Sequence, residues 1–163
     1  FLRVQDVPVV ALQSVRYQPP AYTRDPPHTS SSGAITAVDG TVVSIRATTN
    51  RAVSKAKIEF NPKPLGNTIA ATAGATELDI DDDGTTLTVS FPLRSARGRS
   101  AAVELENYRI KVWDDAGQTN PDPIIYPIEV INDLPPEVSI FIPQSSPQQV
   151  PIDAQQVLSL IHI

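Results

Sequence analysis

The chain of 163 residues carries a formal net charge of −5, 16 prolines, and neither cysteine nor methionine. Proline breaks helices and is tolerated at strand edges and turns, so this density disfavours a helical fold. The negative charge and the lack of a basic run argue against nucleic acid as a partner. No segment approaches the ~20 apolar residues of a membrane span. The absence of cysteine excludes disulfides, a thiol nucleophile and thiolate-bound zinc.

Residues 1–8 are predicted to be the end of a preceding repeat and its linker. Asp6-Val7-Pro8 has a counterpart in Asp133-Leu134-Pro135, 127 residues later, and each triplet follows one apolar strand and precedes another. An offset of this size suits one sandwich domain with an insertion. We therefore predict one domain over residues 9–132 and the truncated start of a following repeat over residues 133–163.

Alternating apolar and polar residues predict β-strands that bury one face. The pattern is clear in residues 41–49, where Val43, Ile45 and Ala47 share one face. Turn residues, such as Asp83-Gly84, separate the runs, and short strands with turn signals between them are typical of a β-sandwich. The predicted strands are residues 9–17, 41–49, 54–60, 85–91, 108–113 and 124–130.

Residues 18–33 interrupt this pattern. They contain two proline pairs and four consecutive hydroxyl residues, at positions 29–32. Paired prolines favour an extended polyproline-like path, and long segments without an apolar pattern are typical of loops. We predict an extended crossover followed by a mobile loop.

Several segments resemble the repeats of bacterial immunoglobulin-like domains. Residues 40–58 are similar to their B and C strands, residues 108–117 (YRIKVWDDAG) to strand F and the turn after it, and residues 133–138 (DLPPEV) to the junction between repeats. Residues 17–23 (YQPPAYT) resemble the start of a subgroup found in large bacterial envelope proteins whose transmembrane segments lie outside the repeats. The resemblance covers residues 9–135 and implies an all-β, immunoglobulin-like antiparallel sandwich of about seven strands, with partial flanking repeats.

The chain departs from the antibody pattern at two positions. It has no cysteine pair, and Phe60 replaces the usual Trp on the third strand of the resemblance. Tyr108 lies two residues before Ile110, where antibody-type domains place the second cysteine, and this is the position of the tyrosine corner. We expect its hydroxyl to bind nearby backbone rather than to take part in catalysis.

The acidic segment at residues 79–84 (DIDDDG) is a candidate metal site. Asp79, Asp81 and Asp83 have the spacing that begins a calcium-binding loop. The match fails at the twelfth position, where Ser90 replaces the bidentate Glu that calcium requires. We predict an acidic β-turn here and no cofactor, with calcium binding as the alternative.

Two further features are candidate binding sites. Arg94, Arg97 and Arg99 cluster in a loop and could bind an anionic glycan or a lipid head group, although the negative overall charge favours a solvated loop. Trp113 lies on the polar side of its strand, which predicts partial exposure and contact with a neighbouring domain or a partner.

The last six residues, 158–163 (LSLIHI), correspond to the translation of CTGTCTCTTATACACATC, the start of the mosaic end used in transposase-based sequencing libraries. We expect them to be adapter read-through in a metagenomic sequence, with a genuine strand as the alternative. Because the chain begins at Phe1 and lacks methionine, we also expect it to be a fragment of a longer protein.

These observations predict a non-catalytic module without catalytic residues. We expect it to act as a spacer or interaction module of a larger bacterial cell-envelope protein, with calcium or glycan binding as the alternative function. Its expected partners are neighbouring immunoglobulin-like domains of the same chain and another envelope protein. We expect an extracytoplasmic location on a membrane-anchored parent, with no direct membrane insertion of this segment.

Overall fold

The computed structural model describes residues 7–95 and 104–132. Within these ranges the chain forms strands and one 3-10 turn (Ala21–Thr23) but no α-helix, which confirms the all-β prediction. None of these residues forms a helix long and apolar enough to cross a membrane. The strands are β1 (Val10–Gln18), β2 (His28–Ser30), β3 (Ile35–Val38), β4 (Val42–Thr49), β5 (Lys55–Phe60), β6 (Pro62–Leu65), β7 (Thr68–Ala71), β8 (Ala75–Glu77), β9 (Asp79–Ile80), β10 (Thr86–Pro92), β11 (Asn107–Trp113) and β12 (Ile125–Ile131).

The strands form two five-stranded sheets and a separate two-stranded hairpin. The first sheet has the order β2-β1-β4-β10-β9, the second has the order β3-β12-β11-β5-β8, and β6 pairs with β7. In the described part of the chain, every pairing is antiparallel apart from that of β3 with β12, which is parallel.

The six strands predicted from alternation are all present, and their ends agree with the prediction to within one residue. The described residues contain twelve strands rather than about seven, because six further strands of two to four residues flank the long ones. These short strands lack the length over which an alternating pattern can be recognised.

The hydrophobic core lies between the inner faces of the two five-stranded sheets. Val43, Ile45 and Ala47 of the first sheet are all buried in it, as their alternation predicts. The rings of Phe60 and Phe91 meet edge to face across the core, with centroids 5.0 Å apart. Burial of apolar area of this kind is the main stabilising contribution in a sandwich.

The prediction of a mobile loop in residues 18–33 is wrong. Residues 28–30 form β2, which pairs antiparallel with the end of β1. The His28 ring stacks on the Tyr17 ring with a centroid distance of 4.7 Å. Pro20 has the extended backbone that the paired prolines predict, with φ −60° and ψ 146°. The segment nevertheless joins two strands of one sheet and includes the 3-10 turn, so it is not a crossover between sheets.

Three tyrosines hold the point at which the chain passes from the first sheet to the second, between β2 and β3. Tyr108 donates a buried hydrogen bond from Oη to the carbonyl of Gly33 at 2.7 Å, and Tyr17 donates from Oη to the carbonyl of Ala34 at 3.3 Å. A Cβ at Gly33 would lie 2.2 Å from Cδ1 of Tyr126, so only glycine fits beneath this ring. We call Tyr17, Tyr108 and Tyr126 the tyrosine clamp.

The clamp corrects the expectation for Tyr108. Its hydroxyl does bind backbone, but the acceptor lies 75 residues earlier in the chain rather than nearby. Burial raises the pKa of Tyr108 above its ordinary value of 10.0, with smaller contributions from Tyr126 and Tyr17. A neutral, hydrogen-bonded hydroxyl in the core is a structural group, because a buried donor without a partner would cost stability.

The predicted boundaries and flanking repeats fall largely outside the described residues. Residues 1–6 and 133–163, including the suspected adapter sequence, belong to this group. The domain limits therefore stay predictions.

Candidate functional site

The candidate site lies on the outer face of the second sheet, where β5 and β11 are neighbours. Strand alternation turns Lys55, Lys57 and Glu59 outward from β5, and it turns Arg109, Lys111 and Trp113 outward from β11. The register pairs Trp113 with Lys55, Lys111 with Lys57, and Arg109 with Glu59. Six polar or aromatic side chains therefore occupy three consecutive cross-strand pairs on one surface.

Trp113 is surrounded by ammonium groups. The Nζ atoms of Lys57, Lys111 and Lys55 lie 5.3, 5.4 and 6.0 Å from the centroid of its ring. These distances are within the range of cation–π attraction, which reaches about 6 Å. Trp113 is partly buried, as its place on the polar side of the strand predicts. We call these four residues the lysine–tryptophan cluster.

A buried ion pair lies next to the cluster. Arg109 donates from Nε to Oε2 of Glu59 at 2.7 Å and from Nη2 to the carbonyl of Ile69 at 2.8 Å, while Lys57 Nζ lies 2.8 Å from Glu59 Oε1. Arg109 and Glu59 are only 4% and 5% exposed, whereas alternation alone would place them on a solvated face. The contact with Ile69 shows that the hairpin β6–β7 covers this part of the sheet.

The charge of Glu59 is fixed by its partners. Burial raises the pKa of its carboxyl, but hydrogen bonds and charges from Lys57 and Arg109 outweigh burial and hold the pKa below its ordinary 4.5. Glu59 therefore stays ionised at neutral pH. Because Arg109 and Lys57 already share its two oxygens, Glu59 supplies no carboxylate to Lys55 or Lys111.

The turn after β11 fixes the end of the strand that carries Trp113. Thr119 forms a single antiparallel bridge with Trp113. Asp114 is buried and accepts a hydrogen bond at Oδ1 from the Gln118 amide at 2.8 Å. Asn120 donates from Nδ2 to the carbonyl of Ile110 at 2.9 Å, and it accepts at Oδ1 from the Val112 amide at 3.1 Å. These contacts give the indole a defined position.

The acidic segment at residues 79–84 comprises β9 (Asp79–Ile80) and most of the turn that joins it to β10. Asp83 accepts hydrogen bonds at Oδ1 from the amides of Thr85 (2.7 Å) and Thr86 (2.9 Å), and at Oδ2 from the Thr86 hydroxyl (2.9 Å). The amide bonds from Thr85 and Thr86, joined by that hydroxyl, lower the pKa of Asp83 from 3.8 to about 2. This arrangement is an Asx turn in which both carboxylate oxygens of Asp83 have protein partners.

No group of three or more His, Cys, Asp or Glu that could hold a metal occurs within residues 7–95 and 104–132. Asp79 and Asp81 are exposed on either side of Ile80. Calcium binding by Asp79, Asp81 and Asp83 thus stays a prediction without a ligand cluster to support it.

The arginine loop is described only at its start. Arg94 is exposed directly after β10, whereas Arg97 and Arg99 lie outside the described residues. The described residues therefore do not test whether the three arginines form one site, and the glycan hypothesis at this loop stays a prediction.

Two clefts lie away from the lysine–tryptophan cluster. One, of about 230 Å³, is lined by residues that include Val10, Ile110 and Tyr126, and the other, of about 320 Å³, by residues that include Tyr17 and His28. Neither has a member of the cluster in its lining, so the cluster lies on open sheet surface outside both clefts.

Sequence reasoning identified Trp113 as a candidate but missed its three lysines. Lys55 and Lys57 are separated from Trp113 by more than 50 residues in the chain, and only the β5–β11 register brings them together. The available signal was the alternation: Lys55 and Lys57 share the outward face of β5, and Lys111 and Trp113 share the outward face of β11. Pairing these two strands, as the resemblance to strands C and F implies, would have found the cluster.

No family model, curated protein or solved structure matches the chain. The bacterial immunoglobulin-like family is therefore not shown by similarity. Function has to be inferred from the residues and from the geometry of the domain, since a fold by itself does not specify an activity.

Proposed function

We propose that the chain is a non-catalytic, immunoglobulin-like module that spaces or presents neighbouring parts of a larger bacterial cell-envelope protein outside the cytoplasm. Other immunoglobulin-like modules of the same chain would be its neighbours, and another envelope protein would be its binding partner. The observation that carries this proposal is that the chain enters and leaves the domain at opposite ends.

The strand register supports this geometry. β1 begins with Val10 opposite Thr49 at one end of β4 and finishes with Gln18 opposite Val42 at the other end. At the end where β1 finishes, Ile131 of β12 pairs with Val38 and accepts a hydrogen bond from the Asp39 amide at 3.0 Å. A strand of eight residues separates entry from exit, which is about 25 Å at the usual rise per residue. Modules connected in this way add length to a chain.

The strand order supports the immunoglobulin-like assignment. If β1, β4, β10 and β9 are strands A, B, E and D, and β12, β11 and β5 are G, F and C, the two sheets match the sheet membership of that fold. In this assignment β3 is a second part of strand A, and its parallel pairing with β12 places it in the sheet opposite that of β1. β2, β6, β7 and β8 are additions to this scheme.

Pulling the domain by its two ends tests the spacer role. The force runs along the strands, so the hydrogen bonds that cross between strands in the antiparallel β1–β4 ladder and in the parallel β3–β12 ladder are loaded together. The full chain has no native cysteine, so handles can be attached at Val9→Cys and Asn132→Cys without competing thiols. We expect one discrete unfolding event that lengthens the chain by roughly 400 Å, the extended length of the residues between these positions.

A second pair of handles gives the matched control. Force between Glu106→Cys and Asn132→Cys peels β12 from β11, because these strands are antiparallel and the Asn107–Pro127 pair, next to the handles, is loaded first. The end-to-end pair should resist a clearly higher force than the peeling pair, since forced unfolding reports the unfolding barrier in each direction. Gradual lengthening from end to end, or equal forces for the two pairs, would reject the spacer proposal.

A further inference from the structure

We propose that the lysine–tryptophan cluster binds an acidic polysaccharide whose sugar rings carry carboxylates. This proposal goes beyond the spacer role and does not depend on it, because it rests on the outer face of the second sheet rather than on the ends of the domain. It also differs from the glycan hypothesis based on the sequence, which relied on the arginine loop.

The cluster carries an excess of positive charge. Lys57 and Lys111 are direct cross-strand partners, and like charges in this arrangement destabilise a sheet. Among the described residues, neither Lys55 nor Lys111 has a carboxylate oxygen within 4.0 Å. Lys57 has Glu59 at 2.8 Å and Glu77 as its cross-strand partner on β8, so the excess positive charge on this face belongs to Lys55 and Lys111. Carboxylates supplied from outside would offset that repulsion.

An aromatic ring lies at the centre of this charge. Trp113 is partly exposed, and the ammonium groups of three flexible lysine side chains lie over its ring, so a sugar ring that stacks on the indole would draw those ammonium groups onto its own carboxylates. The ligand that suits both features carries anionic groups at intervals and has rigid rings with apolar faces between them. A polymer of uronic acid sugars combines the two.

The surrounding sheet argues against a peptide. β5 lies between β11 and β8, and β11 lies between β12 and β5, so neither strand is a sheet edge. An extended peptide gains affinity mainly by adding a strand to an open edge, and the cluster offers none.

The overall charge argues against nucleic acid. Binding to nucleic acid depends on neutralising many phosphates with Lys and Arg, whereas the cluster holds only three lysines and the chain is acidic. Lysine is a compact point charge without the planar fork of arginine, so it pairs with carboxylates arriving from varied directions along a flexible polymer.

The experiment uses Trp113 as its own reporter, because it is the only tryptophan in the chain. The full chain is titrated with polygalacturonate, and tryptophan emission is followed. We expect a saturable change in emission that is reversed by salt, since screening over about 10 Å at 0.1 M weakens exposed ion pairs. Dextran of similar length, which lacks carboxylates, should produce no change.

Substitution of the two unpaired lysines tests the site. Lys55→Gln and Lys111→Gln should each weaken polygalacturonate binding up to about fivefold, the upper range for an exposed ion pair, and the double variant should weaken it further. Lys63→Gln is the matched control, because Lys63 is also exposed but lies on β6 outside the cluster. All variants should keep the melting temperature of the wild type or exceed it.

Several results would overturn the proposal. These are an unchanged emission with polygalacturonate, an equal response to dextran, or an equal loss of affinity in Lys63→Gln. Tighter binding of polyglutamate or of a single-stranded oligonucleotide at the same salt concentration would show that the cluster serves a different polyanion. The pulling experiment is unaffected by any of these outcomes, so failure here is distinguishable from failure of the spacer role.

Discussion

The two five-stranded sheets share one apolar core but carry very different chemistry on their outer faces. On the first sheet, the cross-strand pair Ser44 and Ser90 exchanges a hydroxyl hydrogen bond at 2.6 Å, and Arg46 is exposed beside it. On the second sheet, the corresponding surface holds the buried Arg109–Glu59 pair and the lysine–tryptophan cluster. Both inner faces serve the fold, whereas the ion pair that is buried at both of its partners lies, among the described residues, on the outer face of the second sheet. That asymmetry is the reason to look for binding on the second sheet.

The largest test of this asymmetry compares one arginine from each sheet. Arg109→Ala leaves Glu59 buried without its closest partner, and we expect a loss of about 3–5 kcal/mol in the free energy of unfolding. Arg46→Ala removes an exposed side chain and should change that free energy by less than about 0.5 kcal/mol. Urea denaturation of both variants measures the difference.

A double variant separates the lost charge pair from lost packing. Replacing both partners, as Arg109→Met with Glu59→Leu, removes the buried charges together and should recover most of the stability that Arg109→Ala loses. The asymmetry between the sheets would be refuted at this site if Arg109→Ala and Arg46→Ala cost the same.

The next effect concerns the tyrosine clamp, which joins the two sheets. Tyr108→Phe leaves the buried carbonyl of Gly33 without its donor, so we expect a loss of about 1–3 kcal/mol. Tyr22→Phe is the control, because Tyr22 is 60% exposed and its hydroxyl lies 3.4 Å from the carbonyl of Asp39. Thermal unfolding should show a lower melting temperature for Tyr108→Phe than for Tyr22→Phe.

The pH dependence sharpens the same prediction. The pKa of Tyr108 is raised in the folded state, so its contribution to stability is complete below pH 10, the ordinary pKa of tyrosine, and is lost as the pH rises above it. Tyr108→Phe should show a weaker loss of stability at alkaline pH than the wild type. An identical alkaline profile for the two proteins would mean that this hydroxyl is not buried in the folded state.

The smallest effect is expected at the exposed acidic turn, next to the first sheet. Because the pKa of Asp83 is lowered to about 2 from 3.8, its contribution to stability is present above pH 3.8 and is lost as the pH falls toward 2. Asp83→Asn should reduce the slope of stability against pH in this window, whereas Asp82→Asn, in the same exposed turn, should leave it as in the wild type. Melting temperatures between pH 5 and 2 provide the measurement, and equal slopes for the two variants would contradict the Asx turn.

The long strands were predictable because each contains an alternating pattern long enough to be recognised without knowledge of its partner strand. In β4 the alternation of Val43, Ile45 and Ala47 with polar residues determines which side is buried, whatever the partner strand. The acidic turn was also predictable, because Asp and Gly favour turns through local backbone geometry.

The remaining features depend on contacts that local sequence does not encode. Glu59 and Arg109 have the parity of solvent-facing residues, and they are buried only because the hairpin that contains Ile69 closes over them. β3 carries four residues and pairs with a strand about 90 positions away, so no local pattern could predict it. The lysine–tryptophan cluster could not be predicted from local sequence either, because the β5–β11 register, and not a sequence motif, brings its residues together.

The parallel pairing of β3 with β12 also has a consequence for folding during synthesis. Ile35 pairs with Ile128, so β3 emerges 93 residues before its partner. At translation rates of about 5–20 residues per second, it waits roughly 5 to 20 s with an unpaired edge. The hydrogen bond of the tyrosine clamp to Gly33 cannot form early either, because its donor Tyr108 lies on β11, whereas Tyr17, the donor to Ala34, is made before its acceptor. Among the strands of the described residues, the second sheet is therefore completed only when β12 arrives, and any chaperone that protects the nascent chain has to cover β3 until then.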